Sequence, residues 1–115
     1  MTNRFECEIE NAESGAACVL TVRGDIDLAS ASDFETCLRT ALDSSPSSVT
    51  VDLAALAFID SSGLRVLVSI SKEAQSRGST LGLRNVSRHA QRVLDITGLS
   101  EWFEGQAKTD GPASN

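Results

Sequence analysis

The chain has 115 residues, and its 10 basic and 16 acidic side chains give a formal net charge of −6. A length near the common domain size and a hydrophobic share of 41% predict one globular domain with its own core. The negative charge argues against binding to nucleic acid or anionic lipid, which both require basic surfaces, and no apolar run approaches the ~20 residues that cross a bilayer.

The N-terminal region predicts a β-hairpin. Residues 5–10 alternate strictly, with Phe5, Cys7 and Ile9 on one face and three glutamates on the other. This pattern is typical of a half-buried edge strand, where charge discourages pairing with other chains. Residues 17–23 form a second alternating run, and the short connection between the two runs favours a hairpin.

A first helix is predicted after residues 25–28. Its apolar positions recur at helical spacing from Phe34 to Leu42. Ser30, with Asp33 three residues later, resembles a capping box in which Asp replaces the usual Glu. We therefore expect the helix to begin at Ser30.

The second half of the chain alternates strands and helices. We predict a strand over 49–59, an amphipathic helix that ends near Arg77, and a strand over 81–86. A third helix follows its cap at Ser87. Residues 101–104 are interpreted as a short last strand.

The element order is β-β-α-β-α-β-α-(β), which predicts an α/β fold with a mixed, mainly parallel sheet. We expect one domain over 1–104 and a flexible C-terminal tail over 105–115. The predicted core residues are Cys18, Leu20, Val22, Val49 and Val51 on the sheet, and Phe34, Leu38, Leu67, Val68 and Leu94 on the helices.

The cysteines do not suggest a metal site. Cys7, Cys18 and Cys37 contain no C-x-x-C motif, and a single histidine, His89, cannot complete a Cys/His zinc set. We interpret them as three buried, reduced thiols in a reducing compartment. Residues 1–10 lack the basic and apolar regions of a signal peptide, so we expect a cytoplasmic protein with no cofactor and no metal.

Enzymatic chemistry has little support. Residues 59–63 lack the first glycine of the G-x-S-x-G motif of serine hydrolases. The only candidate base, His89, is expected to be solvated on a surface helix. There is no P-loop, and residues 78–82 are not a dinucleotide fingerprint.

The segment over 60–63, with sequence DSSG, is the strongest candidate site. It follows a buried strand and begins an amphipathic helix, at the edge where open α/β sheets carry functional loops. The local pattern alone favours a plain serine N-cap. Asp25 and Asp27 can likewise be turn and cap residues. If the sheet is parallel, however, they share that edge with Ser61 and form one acidic, hydroxyl-bearing surface.

Basic residues cluster later in the chain. Arg84, Arg88 and Arg92 are interpreted as a solvated helix face together with the segment that leads into it. Arg88 and Arg92 are four residues apart and therefore lie on one side of the helix.

Several segments resemble the STAS domain family. Residues 24–31, GDIDLASA, resemble the segment that enters its first helix. Residues 51–64, from VDL to FIDSSGL, resemble its central strand and phosphorylation loop, and residues 93–99, VLDITGL, resemble its third helix and stop. The resemblance runs from about 5 to 103, and the DSSGL motif points to the anti-sigma factor antagonists.

The resemblance implies a binding switch in transcription regulation. In that family the unphosphorylated antagonist binds an anti-sigma factor, which is also an ATP-dependent serine kinase, and the sigma factor is released. The kinase then phosphorylates the first serine of the loop, and the antagonist dissociates. A PP2C-type phosphatase with its own divalent metal reverses the modification.

By position, the resemblance makes Ser61 the phosphoacceptor. Gly63 then permits a close backbone approach, and Asp25 lies beside the loop at the kinase interface. We expect a monomer or weak dimer. The residues implied in the loop and in partner binding, besides Ser61, are Asp25, Asp27, Asp60, Ser62 and Gly63.

One departure and two alternatives remain. Family members usually continue with a further helix, whereas residues 106–115 contain Gly111 and Pro112 and do not predict one. One alternative function is a STAS subunit that regulates a transporter ATPase of the lipid-trafficking type without a phospho-switch, although the serine loop favours the switch. The other is a nucleotide-binding STAS module, for which no phosphate cradle is found.

Overall fold

The structure, a computed structural model, describes residues 3–11, 16–44 and 46–103. Its four-stranded sheet has the order β1-β2-β3-β4, in which β1 is antiparallel to β2 and the other pairs are parallel. This confirms the predicted α/β fold with a mixed, mainly parallel sheet. The elements are β1 (Glu6–Asn11), β2 (Ala17–Ile26), α1 (Ala31–Asp43), β3 (Ser48–Ile59), α2 (Ser61–Ser76), β4 (Thr80–Arg84) and α3 (Arg88–Thr97).

The predicted hairpin is confirmed, and β1 is an edge strand. Cys7 pairs with Val22 and Ile9 with Leu20 in the antiparallel ladder. The apolar side chains of β1 pack against the core, while its three glutamates are exposed. The alternation in the sequence therefore separates the two faces of this strand.

Strand β2 extends three residues beyond its predicted end. The alternating run in the sequence ends at Arg23, but β2 continues through Gly24 with shifts in its register against β3. Gly24 adopts φ +86°, and a Cβ at this position would lie 2.0 Å from the Arg4 carbonyl oxygen. The glycine thus accommodates a bulge and a close chain crossing, and Asp25 belongs to the strand instead of a turn.

The core lies between the sheet and the helices. Of the predicted core residues, Val68 is half-buried and all the others are buried. The helical spacing in α1 and α2 therefore selects the packed faces correctly.

The chain after α3 differs from the prediction. Gly98, at φ +80°, ends α3, and residues 99–103 form a helical turn instead of the expected last strand. Leu99, Trp102 and Phe103 follow the i, i+3, i+4 spacing of a helix, and all three pack on the core. The tail predicted over 105–115 lies outside the described residues.

The expectation of three reduced thiols is wrong for two of them. Cys7 of β1 and Cys37 of α1 form a disulfide that links the edge strand to the first helix. Their inward faces meet because α1 packs over this side of the sheet, a contact that no local pattern reveals. Cys18 is a free, fully buried thiol, and desolvation raises its pKa.

Candidate functional site

The ends of β2 and β3 bring the candidate residues to one edge of the sheet. Ile26 pairs with Ile59, and the backbone N–H of Asp60 donates to the Ile26 carbonyl oxygen at 3.1 Å. Asp27 and Asp60 therefore leave the sheet from neighbouring strands, with Ser61 directly after. The parallel arrangement places these residues together as expected.

Asp60 caps helix α2. Its backbone is extended, and its Oδ1 accepts hydrogen bonds from the backbone N–H groups of Ser62 at 2.9 Å and Gly63 at 3.4 Å. The local expectation of a serine N-cap is thus wrong, because the carboxylate before the serines takes that role. Ser61 becomes the first helical residue.

The hydroxyl of Ser61 is accessible. Ser61 is exposed, whereas Ser62 is half-buried. Across the three described ranges, no group forms a hydrogen bond with the Ser61 hydroxyl. Ser61 therefore presents an unengaged oxygen to an approaching protein.

Gly63 allows α2 to begin very close to the sheet. It is buried, and a Cβ built on it would lie 2.6 Å from Cγ2 of Ile26 and 2.7 Å from Cγ1 of Ile59. Both distances are shorter than van der Waals contact, so only glycine fits without displacement. This contact sets the position of the serines relative to the strand ends.

The two acidic residues near the end of β2 are engaged locally. The backbone N–H of Asn3 donates to Asp25 Oδ2 at 3.0 Å, and the Asp25 N–H donates to the Asn3 carbonyl at 3.1 Å. Asp27 and Ser30 bond reciprocally, each backbone N–H donating to the other's side-chain oxygen. The expected pairing of Ser30 with Asp33 is not formed, since Ser30 makes no side-chain bond into α1.

Exposed apolar side chains flank this edge, and sequence reasoning missed them. Leu28 is 81% exposed and directly follows Asp27, while Phe58 is 41% exposed near the end of β3. Isolated exposed apolar residues are common, but these two lie next to residues at the strand ends. The only signal for them in the sequence was their distance from the candidate site residues. Leu28 lies three residues after Asp25, and Phe58 lies three residues before Ser61.

His89 is not the solvated side chain that we expected. It is half-buried and stacks on Phe58 with ring centroids 5.2 Å apart. Its Nε2 lies 3.2 Å from the backbone nitrogen of Ile59 and accepts a hydrogen bond from it. This contact fixes the start of α3 against the end of β3, and it engages the ring nitrogen that a general base would need.

The three arginines are all exposed, and one of them also forms an ion pair. Arg84 belongs to β4, and its Nε donates to Oδ2 of Asp52 at 3.0 Å. Arg88 and Arg92 are exposed on α3, as expected. The exposure of Arg84 agrees with its interpretation as a solvated residue in the segment before the helix, whereas its ion pair with Asp52 on the neighbouring strand was not predicted.

Asp52 is a buried carboxylate with three donors. Its oxygens accept from the backbone N–H of Ala54, from Nε of Arg84 and from Nδ2 of Asn85, each at 3.0 Å. The hydrogen bond from Ala54 is the largest cause that lowers the pKa of Asp52, with smaller contributions from Arg84 and Asn85 and an opposing effect of desolvation. This network joins β3 to the end of β4.

The arrangement suits recognition better than catalysis. Within the described residues, no three or more His, Cys, Asp or Glu side chains are grouped as metal ligands. Among the helices of that part of the chain, none has the length and apolarity needed to span a membrane. A nucleophile, a base and an oxyanion donor do not converge at Ser61, whose hydroxyl can instead receive a group from another protein.

Comparisons with known proteins agree with this description. The STAS domain family profile matches residues 8–110. The chain is 38% identical over 56 residues to the anti-sigma-B factor antagonist of Bacillus subtilis, covering 49% of this chain and 51% of that protein. It is 28% identical over 94 residues to the anti-sigma-F factor antagonist RsfB of Mycobacterium tuberculosis, covering 80% of this chain and 75% of that protein. The alignment thus spans about half the length of the first relative.

The same topology occurs in SpoIIAA, an anti-sigma factor antagonist. Its unphosphorylated form superposes with a TM-score of 0.70 at 19% identity, covering 97% of this chain and 100% of SpoIIAA. The phosphorylated form of the Bacillus protein superposes with a TM-score of 0.63 at 21% identity, covering 86% of this chain and 87% of that chain. At such identities the likeness shows the fold alone.

Proposed function

Because this chain belongs to the STAS domain family, we propose that it is an anti-sigma factor antagonist whose binding is switched off by phosphorylation of Ser61. The two sequence relatives described above are named as antagonists of anti-sigma factors. Such proteins are regulatory binding proteins, which agrees with the expectation that this chain is not an enzyme. The proposed partner is an anti-sigma factor, and the proposed location is the cytoplasm.

The observation that carries the proposal is the state of the Ser61 hydroxyl. It is exposed at the first residue of α2, and the cap is supplied by Asp60, so modification of Ser61 removes no capping bond. Phosphoryl transfer requires a base, Mg²⁺ and ATP in the correct position. The anti-sigma factor, acting as a serine kinase, supplies all three, and this chain supplies only the acceptor.

Charge explains how the modification would release the partner. A phosphoserine adds about −1.5 to −2 charges at pH 7. The new charge lies beside Asp60 and at the same sheet edge as Asp27. A dianion in this acidic surface must lose its water when a partner docks, which is costly. A loss of about 2.7 kcal/mol in binding free energy would weaken the affinity roughly a hundredfold.

The modification should have little effect on folding. The phosphate lies at the positive end of the α2 dipole, which is favourable by some tenths of a kcal/mol, and Asp60 opposes it. The switch therefore acts at the interface and leaves the fold intact. A PP2C-type phosphatase is the proposed enzyme that restores the binding form.

The experiment compares Ser61→Asp with the wild type in binding to the cognate anti-sigma factor by calorimetry. We expect a much weaker affinity and a melting temperature close to that of the wild type. Ser76→Asp adds the same charge at an exposed position of α2 about 22 Å further along the helix, and it should retain binding. Unchanged affinity of Ser61→Asp would exclude the switch, and a large drop in melting temperature would assign the loop to folding.

A further inference from the structure

We propose that Arg65 holds the phosphate when Ser61 is phosphorylated, which deepens the proposed function by naming the group that receives the modification. Ser61 and Arg65 are both exposed on α2 and lie four residues apart. Side chains at this spacing are neighbours on a helix, with about 5–6 Å between their Cβ atoms. Helical side chains also tilt toward the N-terminus, so the Arg65 side chain extends toward the turn that contains Ser61.

The backbone of the first turn is not free to bind this phosphate. Two of its N–H groups, those of Ser62 and Gly63, already donate to the Asp60 carboxylate. That carboxylate is also a negative charge adjacent to the modified residue. The phosphate therefore needs a cationic side chain to offset Asp60, and the inference does not depend on the helix terminus.

Arg65 is available for this role. Several other arginines of the described chain are in ion pairs with carboxylates, including Arg39 and Arg77 with Glu73, and Arg84 with Asp52. Arg65 has no carboxylate partner in the part of the chain that the structure describes. Its neighbours one turn away on α2 are the uncharged residues Ser61, Ser62, Val68 and Ser69.

The chemistry of the pair is specific. A guanidinium presents parallel N–H donors that match two phosphate oxygens, so it can bind a phosphoserine in bidentate fashion. In the unmodified protein Arg65 remains exposed and accessible to a partner. Phosphorylation then has two effects at once, since it adds negative charge and occupies a previously free cation.

The pair has a direct spectroscopic readout in the second pKa of the phosphate, which is near 6 for phosphoserine. A nearby cation favours the dianion and lowers this pKa. Other titratable groups near the phosphate are Asp60 beside it, Asp27 at the end of β2 and His89 packed against Ile59. Their contributions are the same in the wild type and in the variants, so they cancel in the comparison.

The experiment uses protein in which phosphoserine is incorporated at position 61 during translation, and it follows the ³¹P chemical shift against pH. Arg65→Gln should raise the second pKa by about 0.2–0.4 of a pH unit. Arg65→Lys, which keeps the charge, should retain part of the lowering. Lys72→Gln is the matched control, because it removes one positive charge from the same exposed face about 16 Å from Ser61, beyond the Debye length of about 8 Å at 0.15 M salt.

Equal phosphate pKa values in the wild type and Arg65→Gln, or equal shifts in Arg65→Gln and Lys72→Gln, would overturn the inference. A shift specific to Arg65→Gln that shrinks as salt rises would support it. The test is independent of any kinase, because the phosphoserine is encoded. A failure of kinases to modify Ser61 therefore contradicts the proposed function and leaves this result interpretable.

Discussion

The carboxylate of Asp60 accepts a hydrogen bond from the backbone N–H of Ser62 at 2.9 Å. This contact assigns the cap of α2 to the residue before the serine pair. It gives the two serines different environments, because the N–H of Ser62 faces inward to the cap while Ser61 projects to the surface. The two adjacent hydroxyls should therefore differ in reactivity.

Phosphate incorporation should depend on Ser61. With a cognate kinase and labelled ATP, Ser61→Ala should abolish incorporation, and Ser62→Ala should retain most of it, because Ser61 is exposed and Ser62 is half-buried. Phosphopeptide mapping on the wild type checks the assignment directly. Finding the phosphate mainly on Ser62 would contradict it.

Gly63→Ala should destabilise the domain. The added methyl group would lie within 2.7 Å of Ile26 and Ile59 side chains, and such overpacking costs about 1–3 kcal/mol. The change is measured as the urea midpoint. Gly82→Ala is the matched control, since a Cβ there meets nothing within 4 Å. Equal stability of the two variants would show that α2 can move away from Ile26 and Ile59 without a cost in stability.

Leu67→Ala should destabilise the protein by about 2–5 kcal/mol, the usual cost of a core cavity. Leu67 lies on the inward face of α2 and is buried. Chemical denaturation provides the free energy of unfolding. Ser69→Ala, on the exposed face of the same helix, should change it by less than about 0.5 kcal/mol. A small effect of Leu67→Ala would contradict the packing of this face.

Acid should remove the stabilisation contributed by Asp52. Its pKa in the folded protein is lower than in the unfolded chain, where it is about 3.9. The unfolded chain therefore binds more protons near that pH, so the contribution is present above about pH 4 and is lost as the pH falls through the lower folded pKa. Asp52→Asn should lower stability by about 1–3 kcal/mol at pH 7.

The denaturation midpoints of the wild type and Asp52→Asn should converge on acidification from pH 7 to pH 3. Glu10→Gln, an exposed substitution on β1, is the control and should differ little from the wild type. If the difference in denaturation midpoint between the wild type and Asp52→Asn stays constant from pH 7 to pH 3, the stabilisation by this network does not depend on the charge of Asp52.

Reduction of the Cys7–Cys37 disulfide should lower the melting temperature. The bond closes a loop of 30 residues, and a cross-link of this length stabilises by about 2–4 kcal/mol through the unfolded chain. The double variant Cys7→Ala/Cys37→Ala should melt at the lower temperature and should not respond to dithiothreitol. If dithiothreitol lowered the melting temperature of both proteins equally, the loss of stability would not come from this disulfide.

Patterns within one element predicted most of the fold. The alternation over 5–10 predicted β1, the helical spacing predicted the buried face of α2, and Ser87 predicted the start of α3. Each of these patterns depends only on neighbours along the chain. The position of Ser61 near Asp27 also followed from the parallel sheet, because it needed only the order of the strands.

Contacts between distant elements were not predictable in the same way. The disulfide joins residues 30 positions apart, and Arg84 of β4 forms an ion pair with Asp52 of β3. His89 packs on Phe58 from the start of α3. Each of these depends on how two faces meet, and single-sequence periodicity shows only that the faces exist. The misassigned end of β2 has another cause, because a glycine signals a turn and a bulge equally well.

Cys18 provides a built-in reporter of unfolding. All three cysteines lie in the described part of the chain; two are joined to each other, and the third is free with 0% of its surface exposed. Desolvation raises its pKa, so even a small reagent that reached it would meet little thiolate. A thiol-reactive dye added to oxidised protein should therefore label only molecules whose central strand has opened. The labelling rate would measure the frequency of that opening under native conditions, without any engineered probe.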